Sequence, residues 1–177
     1  MTSVLRKVWC HFKREDGVAT TEFVLVIPLL MAVFMASFES GLLMIRSIML
    51  EQSVDMTMRE LRLGHFTLPT PASLKREICS LTVIFSNCET SIMIEMQRVS
   101  TTNWAMPLNP INCVDRSEVI QPVTTLEIGQ QNDIMVVRVC VVQDAMFPTT
   151  GIGLGLPLDA NGGYGLVTTS AFVTEPS

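Results

Sequence analysis

Residues 18–45 read VATTEFVLVIPLLMAVFMASFESGLLMI, a stretch that is apolar apart from Glu22, Glu39 and a few small polar residues. Its uncharged centre, Phe23 to Phe38, holds sixteen residues. As a helix these cover about 24 Å at 1.5 Å per residue, short of a hydrocarbon core of about 30 Å. Length alone therefore leaves a membrane span and a signal-peptide core both open. Extension through Ala19–Thr21 and Gly41–Ile45 supplies a full span, provided both glutamates are accommodated. A cleaved secretory signal wants small residues in an A-x-A-like pattern after its core. Here the end of the core reads FMASFES, with Phe34 where that pattern needs a small residue. The apolar helical pattern also runs on into Leu42, Leu43, Ile45, Ile48 and Leu50 without a Gly/Pro stop, so the segment is expected to stay in the mature protein.

Upstream lies MTSVLRKVWCHFKREDG, residues 1–17, where Arg6, Lys7, Lys13 and Arg14 stand against Glu15 and Asp16. Basic residues ahead of a span predict a cytoplasmic N-terminus and an exported C-terminus. Within the span, Glu22 has two readings. A carboxylate at the rim of an apolar helix suggests a functional site with a partner. It is equally an interfacial residue near a helix start, where negative charge is favoured. Pro28 removes one helical hydrogen bond and predicts a kink, either a functional bend or a tolerated matter of shape.

Basic residues, then Gly17, then VATTEF with Glu22 five residues on, then VLVIPLLM, resemble the prepilin-like N-terminus of the type IV pilin superfamily. Within it, GVATTEFVLVIPLLMAVFMASFE looks most like the TadE/TadF-like minor pseudopilins of Tad (Flp, tight adherence) pilus systems. The resemblance is specific over about residues 13–60. It implies cleavage by a prepilin peptidase between Gly17 and Val18, and an assembly role for Glu22 with Phe23. Pro28 matches the family's proline and Glu39 the acidic residue near the end of its apolar run. The major Flp pilin usually has Glu-Tyr where this chain has Glu22-Phe23, and it is far shorter; both departures point to the minor class. The implied partners are the inner membrane, the peptidase, other minor pseudopilins, the major Flp pilin and the Tad assembly machinery. The implied location is the bacterial inner membrane, single-pass with a periplasmic C-terminal domain, or the pilus itself.

Past Glu39, Leu43, Leu50, Val54, Met58 and Leu61 recur at helical steps and mark one apolar face. Gly64, Pro69 and Pro71 stop the helix. One helix over residues 18–63 is about 69 Å long, spanning the membrane in its first half and lying under a domain in its second. Residues 64–72 read as a linker and 73–177 as an exported domain. Ser73 is the expected N-cap of SLKREICSLTVIF, with 81–85 open between helix and strand. Strands are expected at 91–99, at the almost wholly apolar run 134–143, and at 164–173 after the Asn161-Gly162-Gly163 turn, with a short one around 119–128. The sum is an α+β fold: a long transmembrane helix followed by a small disulfide-bonded domain with an antiparallel sheet.

Cys10 would leave with the leader, and Cys79, Cys88, Cys113 and Cys140 all fall in the exported part. An even set outside the cytoplasm reads as a disulfide framework with three possible connectivities. Cys79–Cys88 with Cys113–Cys140 is favoured: the first closes a short loop, and the second ties a long loop to a buried strand. Each contributes about 2–4 kcal/mol. The zinc alternative lacks its C-x₂₋₄-C spacing.

The whole chain is 177 residues, 48% hydrophobic and only 16% charged, against about 25% charge in ordinary soluble domains. That length excludes a multidomain enzyme. Twelve basic against seventeen acidic residues give a net charge of −5, which argues against a nucleic-acid partner. Without the leader, eight basic and fifteen acidic residues remain, net −7. Two histidines, His11 and His65, leave little for metal or acid–base chemistry, and His65 reads as exposed or capping. The run TTGIGLGLPLD lacks the Gly-Lys-Ser/Thr ending of a phosphate loop and reads as surface loop. No G-x-S-x-G or H-E-x-x-H motif occurs, so no catalytic residue, metal or cofactor is expected. A rival reading is an uncleaved single-pass membrane protein whose exported domain binds a ligand or scaffolds a complex. It explains the hydropathy and cysteines equally well, but not the Gly17-to-Glu22 spacing.

Overall fold

The computed structural model describes residues 18–66, 69–107, 109–118, 120–149 and 151–175. The proposed leader, with Gly17 and Cys10, lies outside the described residues. A single helix, α1, runs unbroken through Val18–Arg62, 45 residues with Pro28 inside it. Its end is set by Gly64 at φ +74°, a left-handed position that costs glycine nothing. His65 N–H then reaches the Glu60 carbonyl and Gly64 N–H the Leu61 carbonyl, both at 3.1 Å. These two bonds satisfy carbonyls that a helix end leaves open, and Arg59 and Arg62 in the last turn suit its negative end.

Helix α2, Pro71–Leu81, starts two residues before the expected cap at Ser73. Thr70 is the true N-cap. Its Oγ1 accepts from Ser73 N–H at 3.1 Å, while Ser73 Oγ accepts from Thr70 N–H at 2.9 Å. Pro71 fits the first helical position because no intrahelical partner awaits its missing N–H. The helix stops at Leu81, and 83–85 form a bend, so neither a longer helix nor a strand occupies 81–85.

A one-turn helix α3, Cys88–Ser91, leads into β1, Ile92–Val99. Then come β2, Ile134–Asp144, a short helix α4, Gly151–Gly155, and β3, Gly163–Val173. The sheet has the order β1-β2-β3, antiparallel throughout, with Ile92 opposite Val141 and Val137 opposite Ser170. The architecture is α+β, a long N-terminal helix and a three-stranded antiparallel sheet. Among the described residues 120–128, where a short strand is expected, there is one parallel bridge from Met96 to Leu126. The glycine-rich run expected as loop is helical at α4.

Alternation decides the two faces of the sheet. Ile92, Ile94, Met96, Met135, Val137, Val139 and Val141 point to one side and pack with Leu50, Val54 and Met58 of α1 and Leu74 and Ile78 of α2. On the other side Met93 and Val142 meet Val114, and Cys140 bonds to Cys113. Both faces of β2 are therefore covered, which is why its sequence is apolar almost throughout. Ser53 and Thr57 are fully buried on α1. Their hydroxyls donate to the Leu50 and Ser53 carbonyls at 2.8 Å, so burial leaves neither unsatisfied.

Candidate functional site

The two halves of α1 have opposite surroundings. From Leu50 onward one face is core; from Thr20 to Phe34 every side chain is exposed except the half-exposed Ile27. None of the 18 most apolar residues of this helix is buried, and the helix is long and apolar enough to cross a membrane. Phe23, Leu25, Leu29 and Phe34 are each more than 60% exposed. An apolar helix surface of this extent has no place in water, and a bilayer or neighbouring apolar helices satisfy it. Val18 to Met35 are 18 residues, about 27 Å, close to a hydrocarbon thickness of about 30 Å. Glu22 and Phe23 lie near the start of this exposed helix, Glu22 exposed and four residues after its first residue. Pro28 sits ten residues along it, where the Val24 carbonyl loses its usual helical donor.

The domain meets the helix just beyond this stretch. Glu39 is completely buried. Its carboxylate accepts from Met146 N–H at 3.1 and 3.2 Å and from Phe147 N–H at 3.0 Å. Phe147 also packs edge-on against Phe38, with ring centroids 6.1 Å apart. Gly151 comes so close to α1 that an added Cβ would lie 2.9 Å from that of Ala36. Higher on the helix, Arg46 donates to the Asp144 carbonyl at 3.0 Å and to the Tyr164 hydroxyl. The sequence marked Glu39 only through a family resemblance; its partners, 107 and 108 residues away, are set by the fold.

A second polar group, which sequence reading missed, closes the loop before β3. Arg116 donates to Asp144 Oδ1 at 2.6 Å and to both Asp159 oxygens at 3.0 and 3.1 Å. Asp159 Oδ1 also accepts from Asn161 and Gly163 N–H. The Arg116 hydrogen bonds are the largest influence holding the Asp159 carboxyl below its ordinary value, and they raise the Arg116 guanidinium above its own. Beside them lies a cavity of about 410 Å³ lined by Arg46, Asp115, Arg116, Glu118 and Asp144, among others. Charges of both signs line it, and the Arg116–Asp144 pair at its edge ties the 100–130 connection to the end of β2.

Cys79 joins Cys88 with Cα atoms 5.7 Å apart, and Cys113 joins Cys140 at 5.3 Å. The first clips the end of α2 to α3; the second holds the long 100–130 connection against the centre of the sheet. Among the described residues no cluster of His, Cys, Asp and Glu is placed to hold a metal ion. His65 lies at the end of α1, paired through Nδ1 with Glu60.

Residues 17–59 match the family model of the TadE-like proteins. Over this segment, about a quarter of the chain, the sequence is similar to the TadE-like proteins. The TadE-like segment covers the exposed half of α1, Glu39 and the start of the core-facing half, ending one residue after Met58. TadE-like proteins are structural components of the Tad pilus, and the similarity supports an association with that pilus and the membrane. No curated protein and no solved structure matches the chain significantly.

Proposed function

We propose that this chain is a TadE-like assembly subunit cut by a prepilin peptidase between Gly17 and Val18. It is held in the bacterial inner membrane by the first half of α1, with its N-terminus cytoplasmic and its disulfide-bonded domain periplasmic. The observation that carries the reading is the exposed apolar first half of α1 with Glu22 near its head. Cutting after Gly17 makes Glu22 the fifth residue and puts a positive amine on Val18. The carboxylate of one subunit then pairs with the amine of its neighbour inside a bundle of such helices. Burying either charge alone in hydrocarbon is costly, so pairing both gives register as well as attraction. Phe23 to Phe38 supply the apolar contact with other minor pseudopilins or the major Flp pilin, and Pro28 is where the rod bends.

The test is intact mass and N-terminal sequencing after expression with and without the cognate prepilin peptidase. A new N-terminus at Val18 only when the peptidase is present is the expected result. An intact leader in both cases returns the chain to an uncleaved membrane anchor with an exported domain. Glu22→Ala is expected to abolish pilus assembly while membrane insertion persists, and normal pili from that variant would sink the pairing.

A further inference from the structure

We infer that the segment between β2 and β3, residues 145–158, rests on the lipid surface of the bilayer that α1 crosses and seats the domain there. The inference builds on the membrane-spanning reading of α1. Following the chain from β2, Asp144 is bonded at the level of Arg46, Met146 and Phe147 at Glu39, and Gly151 approaches Ala36. The segment thus descends α1 by ten residues, about 15 Å, toward the N-terminus. It stops where the freely exposed apolar stretch of α1 begins.

Its sequence, AMFPTTGIGLGLPL, contains no charged residue and is bracketed by Asp144 and Asp159. Leu154 is 71% exposed, Met146 52% and Ile152 37%, beside Phe38 at 46%. A patch of this kind on a soluble face is a liability; at the rim of a membrane-spanning helix it meets headgroups and upper acyl chains. The occupant is lipid, because the patch is continuous with the stretch of α1 whose length matches the hydrocarbon core. Glu39 fits the same arrangement. At that depth a bare carboxylate is expensive, and here the N–H groups of Met146 and Phe147 receive it while the segment shields it from lipid.

The test uses the full chain in bilayers containing lipids brominated high or low on the acyl chain. Trp9 and Trp104 are replaced by Phe, and one Trp is placed at Leu29, Leu154 or Leu63. All three positions are exposed, so the core is undisturbed. Leu63 serves as the distant control, 27 residues beyond Ala36 and about 40 Å along α1. The expected result is loss of Leu154→Trp emission to shallow bromines, loss of Leu29→Trp emission to deep ones, and none for Leu63→Trp. Quenching at Leu29 without quenching at Leu154 overturns the inference and leaves the membrane span standing. A Leu154→Trp emission blind to bromine but shifting blue with protein concentration assigns the patch to a second copy, and also overturns it. Absence of quenching at Leu29 removes the membrane span itself, and the inference falls with it.

Discussion

The Glu39 carboxylate accepts the backbone N–H of Phe147 at 3.0 Å, across 108 residues of sequence. This bond, with those from Met146, is the hinge point between the free half of α1 and the domain. Three N–H···O contacts on one buried carboxylate fix both the height and the rotation of the 145–158 segment on the helix. A charged acceptor makes stronger hydrogen bonds than a neutral one, so the attachment is firm although the segment is short.

Glu39→Ala is therefore expected to free the segment, leaving two partly buried N–H groups without their acceptor at a cost of about 1–3 kcal/mol. Glu39→Gln keeps one carbonyl oxygen and should fall between. Hydrogen exchange of the Met146 and Phe147 amides checks this: protection should drop most in the Ala variant while β2 stays protected.

The two disulfides close loops of unequal size, with sequence separations of 9 and 27. Chain-entropy reasoning gives about 2.6 kcal/mol for the shorter and about 3.5 kcal/mol for the longer. Replacing Cys113 and Cys140 by Ser should lower the denaturant midpoint more than replacing Cys79 and Cys88. Equal losses would mean that strain or residual structure, not loop size, governs both.

Across the sheet, Arg138 on β2 bonds to Glu95 on β1 at 2.6 Å, with side chains only 12% and 14% exposed. Removing one partner leaves the other charge nearly buried. Arg138→Leu alone is expected to cost about 3 kcal/mol, and the double variant with Glu95→Leu less than that. A double-mutant cycle by chemical denaturation measures the coupling, and additive losses would show the pair to be independent.

Acid should loosen the loop around Asp159, whose carboxyl is held below its ordinary value of 3.8 chiefly by Arg116. A depressed folded value contributes stability that is complete above the unfolded value and is lost as pH falls through the folded one. The loss thus begins near pH 3.8 and grows below it. Asp159→Asn should be less stable than the parent at neutral pH and show a shallower fall in melting temperature on acidification. Identical acid profiles would show that Arg116 does not draw on the charge of Asp159.

The sequence by itself determined the long helix, its apolar first half, the Gly64 stop and the three strands. Each is written locally, in hydropathy of period 3.6 or 2, in a left-handed glycine, or in a β-branched run. Loop closure also favoured the disulfide pairs that the fold contains, one across a short loop and one tying a long loop to the buried strand. Tertiary structure decided what depends on distant partners. Thr70 replaced Ser73 as the cap of α2 because Thr70 and Ser73 form a reciprocal pair one turn earlier, with Pro71 suited to the first helical position. The glycine-rich run became α4 because packing against Ala36 and Phe147 leaves no room for side chains at Gly151 and Gly153. Glu39, Arg46, Arg116 and Asp159 found their partners only when β2 and β3 were laid along α1. Polar residues carry no periodic signal, and the groups that satisfy them lie tens of residues away.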